Sequence, residues 1–132
     1  MLRKIPAERM KRNKPHTVVL SKQALALLEK MRPISEKSEF VFPGNSKSKQ
    51  HMNPSTVNMA LKRMGFANRL VAHGLRSIAS TILNEQNFDS DIIDAALSHV
   101  SSNDIRNIYN RAEYIDRRRV MMQWWSNYID KK

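Results

Sequence analysis

Residues 73–99, HGLRSIASTILNEQNFDSDIIDAALSH, decide the fold class. Ile78, Ile82 and Leu83 recur at helical spacing, which predicts one face of a helix running to about Gln86. Asp89 or Ser90 then caps a second helix through Ile92, Ile93, Ala96 and Leu97. Beyond it the pattern predicts a shorter helix over about 102–110 and a last helix over roughly 113–130. That last segment carries Ile115, Met121, Met122, Trp124, Trp125, Tyr128 and Ile129, and Tyr128 is expected in the core. From residue 73 onward the chain therefore reads as almost wholly helical.

Upstream, Asn53-Pro54 pairs an N-cap with a proline at the first helical position and opens a helix through about Met64, stopped by Gly65. Residues 44–52 are polar and basic and read as an exposed loop, while Phe40-Val41-Phe42 is a small strand or a wedge into a core. Ser21 is a good N-cap, with Leu25, Leu28 and Met31 following at helical spacing before Pro33 closes the segment. His16-Thr-Val-Val-Leu20 is a β-branched run, and residues 2–20 fit two strands joined by a basic turn. The expected class is mainly α with a small N-terminal β-hairpin: one domain of residues 1–132, with the hairpin in 1–20 and the rest mostly helical.

A chain of 132 residues is the size of one domain, and 41% hydrophobic residues suffice for a packed core. Twenty-three Lys and Arg against 12 Asp and Glu leave a formal charge of +11, which points to a polyanionic partner, nucleic acid first. Residues 1–14 alone hold Arg3, Lys4, Arg9, Lys11, Arg12 and Lys14 against Glu8. With no cysteine, disulfide scaffolds, thiolate zinc sites and thiol nucleophiles are excluded. Three glycines leave no phosphate-cradling glycine loop. The longest apolar run, residues 24–28, is far short of the ~20 residues of a membrane span, and the start MLRKIPAERM is charged where a signal peptide is apolar. The chain is expected in the cytoplasm, with no membrane partner.

His73 and Arg76 stand three apart in a helix's first turn, where an imidazole, a guanidinium and the positive dipole end suit a phosphate. Taken alone, such a pair is more often an ordinary surface pair. The order of the downstream residues raises its meaning: Leu97-Ser-His99 lies 26 residues past His73, and Tyr109 lies ten past His99. Upstream, Lys11 sits seven residues before Val18 of the strand. The four histidines, spaced 35, 22 and 26 residues apart, form no short helical pair, so a histidine metal site is not expected.

The series Lys, His-x-x-Arg, Leu-x-His and Tyr resembles the catalytic domain of tyrosine recombinases, the phage-integrase family. HGLRSIASTILNE, ALSHVSSNDIRNIYNRAEY and RRRVMMQWWSNYID are most similar to integrases of bacterial prophages and satellite phages, and the likeness covers nearly the whole chain. It implies site-specific DNA recombination through a 3′-phosphotyrosyl intermediate, with Tyr109 as nucleophile, Arg76 on the non-bridging oxygens, Lys11 protonating the leaving 5′-oxygen, His73 accepting the tyrosine proton and His99 donating to the phosphate. No cofactor and no metal are implied, because the covalent intermediate keeps the bond energy. The implied partners are double-stranded DNA and further copies of the enzyme, as a tetramer on two duplexes. The family also carries a first catalytic arginine in an upstream TG-x-R-x-x-E-L type segment, which these 132 residues do not contain. The expectation is a C-terminal part of the catalytic domain, with weak salt-sensitive DNA binding and little cleavage of its own.

Several residues compete for these roles. Lys14 shares the turn with Lys11, and Tyr114 and Tyr128 are the other tyrosines, although Tyr114 stands 15 residues past His99. His99 also suits a simple helix C-cap. Arg9, Arg12, Lys14, Lys47, Lys49, Arg117 and Arg118 are candidate phosphate contacts, and the Arg117-Arg118-Arg119 run is equally a solvated helix face. Trp124 and Trp125 point about 100° apart on a helix, so one is expected in the core, and the family resemblance implies that the other meets a neighbouring subunit. The alternative function is a non-catalytic basic DNA-binding module resembling a helix-turn-helix. An RNA-binding or assembly protein would need spaced stacking aromatics that the sequence does not offer.

Overall fold

The computed structural model describes residues 1–11, 13–44, 50–99 and 111–131, of which 111–113 are described by backbone alone. These residues form two compact units, Met1–Ala24 with Ala79–Lys132, and Leu25–Ile78. The helix expected over 102–110 lies outside the described residues.

The first unit opens with the expected hairpin. Strands β1 (Leu2–Ile5) and β2 (His16–Val19) pair antiparallel in the register Leu2↔Val19 to Ile5↔His16. The connection contains a 3-10 turn at Ala7–Arg9, and Asn13 takes a left-handed φ of 51° that asparagine tolerates well. Helix α1 (Lys22–Ser35) starts where expected, with the Ser21 hydroxyl accepting from Ala24 N–H at 3.2 Å. Helix α3 (Ala72–Glu85) contributes its second half to this unit. Asn87 turns the chain in left-handed geometry into α4 (Ser90–Leu97), and α5 (Arg111–Ile129) completes the unit.

Leu83, Ile92, Ile93 and Met121 form the buried core, with Phe88, Ala96, Leu97, Tyr114, Met122, Trp124 and Trp125 packed around them. Each fully buried aliphatic side chain contributes about 1.5–3 kcal/mol. The start of α1 is fastened to α5 by polar contacts. Gln123 Oε1 accepts from Lys22 N–H at 3.0 Å, the Ser126 hydroxyl meets that of Ser21 at 2.6 Å, and Gln23 bonds both Gln123 and Asn127 at 2.8 Å.

In the second unit, α1 continues through Pro33 to Ser35 rather than closing at the proline. Pro33 sits in the last turn, where its missing N–H removes a single ladder bond. The 40–42 segment is neither a full strand nor a wedge: Phe42 is exposed, and one antiparallel bridge joins Pro43 to His51. Its bonds run from Met52 N–H to Phe42 O and from Gly44 N–H to Gln50 O, both 2.7 Å. Asn53 caps a turn through its Oδ1, 2.8 Å from Ser55 N, and α2 (Thr56–Leu61) begins two residues later than Asn53-Pro54 suggests. A π-helical turn, Lys62–Phe66, follows, and Gly65 at φ 90° ends the segment as expected because only glycine adopts that angle without strain. Ile78, expected on the apolar face of α3, is exposed, whereas Leu83 is buried.

Asp89 is the cap of α4: its Oδ1 accepts from Asp91 N–H at 2.9 Å, and its Oδ2 lies 2.8 Å from Arg117 of α5. The Asp91 N–H first, and the Arg117 guanidinium after it, hold its carboxyl below the usual carboxylate range. The stabilisation is therefore present above the unfolded value of about 3.9 and is lost as pH falls through the folded value. Asp89→Ala should cost about 1 kcal/mol in urea denaturation at pH 7, the usual worth of a cap. Asp89→Asn keeps an acceptor, so its smaller deficit should vanish in acid. A deficit that persists unchanged at pH 2 would contradict the charge's role. In the core, Ile93→Ala should lower unfolding free energy by about 2–5 kcal/mol, as expected for a side chain only 1% exposed.

Candidate active site

The first turn of α3 holds His73 and Arg76 on one face, as their spacing requires. Ala72 N–H, a free donor at a helix start, is taken by Asn58 Oδ1 of α2 at 2.8 Å, which fixes where α3 begins. Gly74 lies on the same turn, where an added Cβ would meet Leu70 Cδ1 at 3.4 Å. His73 is exposed and Arg76 half-buried. An imidazole and a guanidinium thus share one face at a helix N-terminus, an arrangement suited to an anion with two oxygens.

Lys11 and His99 belong to the other unit. Lys11 is exposed in the connection between β1 and β2, beside exposed Arg9 and Lys14. His99 is exposed just past α4, whose C-cap Ser98 is left-handed at φ 54°. Asp94 holds His99 twice: its carbonyl accepts from His99 N–H at 2.8 Å, and its Oδ1 lies 3.2 Å from His99 Nδ1. The sequence reading missed Asp94. The available signal was an aspartate one turn back from a histidine at a helix end.

The arginine run does not act as a unit. Arg117 is half-exposed on Asp89, Arg119 lies 3.5 Å from Asp116, and Arg118 is buried at 7% exposure. Arg118 Nη2 donates to Thr17 O of β2, and burial pushes its pKa down. The expectation of Arg118 as a surface phosphate contact is thus corrected, because its side chain turns inward to a strand carbonyl. Tyr109, Arg12, Lys47 and Lys49 lie outside the described residues. Of the competing tyrosines, Tyr114 packs against the core. Tyr128 is not core as expected; it is 42% exposed, and its ring stacks on Trp124 at 5.2 Å and on Trp125 at 5.8 Å. Neither tryptophan is fully buried, and Trp124 also meets Phe88 edge-on at 5.2 Å. Among the described residues no helix is long and apolar enough to cross a membrane.

The family model described as "Phage integrase family" matches residues 2–115. The chain is 57% identical over 126 residues to the prophage integrase IntA of Escherichia coli K12, covering 96% of this chain and 30% of that protein. It is 39% identical over 129 residues to the integrase of Shigella phage Sf6, covering 97% of this chain and 34% of the relative. It is also 39% identical over 125 residues to the integrase of enterobacteria phage P4, covering 92% of this chain and 28% of the relative. No solved structure matches it. The chain thus spans about a third of the length of these relatives. The match takes in the hairpin, the His73–Arg76 turn and the Asp94–His99 pair, and on it the chain belongs to the phage integrase family.

Proposed function

We propose that the chain supplies part of the active centre of a tyrosine recombinase, which cuts and rejoins double-stranded DNA through a 3′-phosphotyrosyl intermediate. The observation that carries the reading is the placing of His73 and Arg76 on one face of the first turn of α3, in a chain of integrase type. Tyr109 Oη attacks the scissile phosphorus, so that an O–P bond forms as the P–O5′ bond breaks. An ordinary phenol, with a pKa of about 10, needs a base at neutral pH, and His73 takes that proton. Lys11 gives its proton to the departing 5′-oxygen. Arg76 spans two non-bridging oxygens as negative charge grows on them. His99 donates to the phosphate; with Nδ1 taken up by Asp94, Nε2 is the nitrogen left for an oxygen.

Tyr114 and Tyr128 are already engaged in packing, which leaves Tyr109 as the nucleophile that fits the family spacing. The remaining arginine of the family set would come from sequence outside these 132 residues. Arg9, Arg12, Lys14, Lys47 and Lys49 would meet the DNA backbone, whereas Arg117 is taken up by Asp89. The active assembly would be a tetramer on two duplexes in the bacterial cytoplasm.

The test uses an extended protein, in which the upstream region of the Escherichia coli relative precedes these 132 residues, and a nicked suicide duplex bearing that relative's attachment site. A denaturant-resistant protein–DNA adduct is expected with the extended protein, absent with Tyr109→Phe, and reduced about 10²-fold or more with Arg76→Ala, the usual loss for an oxyanion donor. Salt-sensitive binding without any adduct would instead favour a plain DNA-binding module. Binding of the 132-residue chain to duplex DNA should weaken steeply with salt. Arg9→Ala should reduce the slope of log K against log salt by about 1, the share of one phosphate contact.

A further inference from the structure

We propose that Arg118 is a positioning residue for the leaving-group acid: it fixes the hairpin that carries Lys11 to the helix that comes after Tyr109. The inference rests on the recombinase reading and goes one step beyond it.

The hydrogen-bond pattern of the hairpin makes this possible. Leu20 N–H bonds to Met1 O at 3.1 Å, so the pairing alternates from there. Arg3–Val18 and Ile5–His16 are bonded pairs, while Leu2–Val19 and Lys4–Thr17 are not. The Thr17 carbonyl consequently points away from β1, toward an edge with no third strand to receive it among the described residues. Arg118 of α5 fills that place, with Nη2 donating to Thr17 O. One contact thereby joins the strand closing the Lys11 connection to a helix that begins two residues after Tyr109.

The chemistry of the contact argues for position rather than plain stability. Among the described residues no carboxylate pairs with Arg118, and its Nε is buried without a partner. A buried guanidinium satisfied by one main-chain oxygen is an expensive way to join a strand to a helix, and an apolar side chain of similar length would pack there more favourably. What the guanidinium adds is direction: it fixes the register of β2 along α5, which a methionine does not. Lys11 must meet the 5′-oxygen while Tyr109 meets the phosphorus on the opposite side. A shift of the hairpin along α5 would leave the lysine misplaced and the rest of the centre intact.

The experiment compares two duplexes cut by the extended protein: an ordinary one, and one whose scissile bridging 5′-oxygen is replaced by sulfur. An ordinary thiol has a pKa of about 8.5, far below that of an alcohol, so a thiolate departs without a proton donor. Lys11→Met should be about 10²-fold slower or worse on the ordinary duplex and near the parent rate on the sulfur duplex. Arg118→Met should show the same signature at about ten- to a hundredfold, with Arg118→Lys in between. Folding is checked by circular dichroism, and Arg118→Lys alone carries the comparison if the methionine variant does not fold. Equal slowing of the Arg118 variants on both duplexes, or no slowing on the ordinary one, overturns the inference. If Lys11→Met is not rescued by sulfur, the acid role of Lys11 fails first, and the positioning role with it.

Discussion

The packing of α5 against two partners far away in sequence is the constraint on which the first unit depends. Met121 enters the core beside Leu83, Ile92 and Ile93, while Arg118, Gln123 and Ser126 reach the hairpin strand and the start of α1 about a hundred residues earlier. The apolar contacts supply most of the free energy, because side chains such as Met121 and Ile93 leave water entirely. The polar contacts add little net energy each, yet they admit one register only, since a slipped helix would strand buried donors and acceptors. Hydrophobic burial makes the unit cohere, and the polar seam decides how it is aligned.

That double partnership explains where the sequence was legible. Helices α3 and α4 have one buried side, so Leu83, Ile92 and Ile93 follow the helical period and are readable directly. The cap Asp89 and the hairpin are local features and fell where their residue types require. Helix α5 is different, because it buries an arginine and a serine on one side and methionine and tryptophan on another. No single apolar stripe results. Tyr128 therefore looked like core while it stacks at the surface, and Arg118 looked exposed because its neighbours Arg117 and Arg119 are. Pro33 misled for a simpler reason: near a helix end the ladder bond that proline removes is one of few still to be made.

The candidate site was legible in its residue types and less so in its supports. His73, Arg76 and His99 are singled out by their order along the chain and by the family resemblance, whereas Asp94 is visible only as a contact, through a helix end whose left-handed Ser98 returns the histidine to the last turn. The same holds for the charge. A total of +11 points to a polyanion, yet Arg117 and Arg119 stand beside aspartates and Arg118 is buried. Net charge gives the sign of the partner, and the contacts of each arginine decide which of them remain to meet it.

The proposed reaction makes one further demand on such supports. Cutting and rejoining by the same tyrosine is a pair of transesterifications of nearly equal energy, with no outside driving force. The group that protonates the departing 5′-oxygen must take that proton back when the oxygen returns. A displaced lysine therefore slows both directions by the same factor and leaves the ratio of cut to sealed DNA unchanged. An arginine contact made only in the transition state acts likewise, because its loss raises the barrier equally from both sides. What the supporting contacts control in this scheme is rate in both directions at once. A fixed register between hairpin and helix is suited to that task, and additional binding affinity for either state is not.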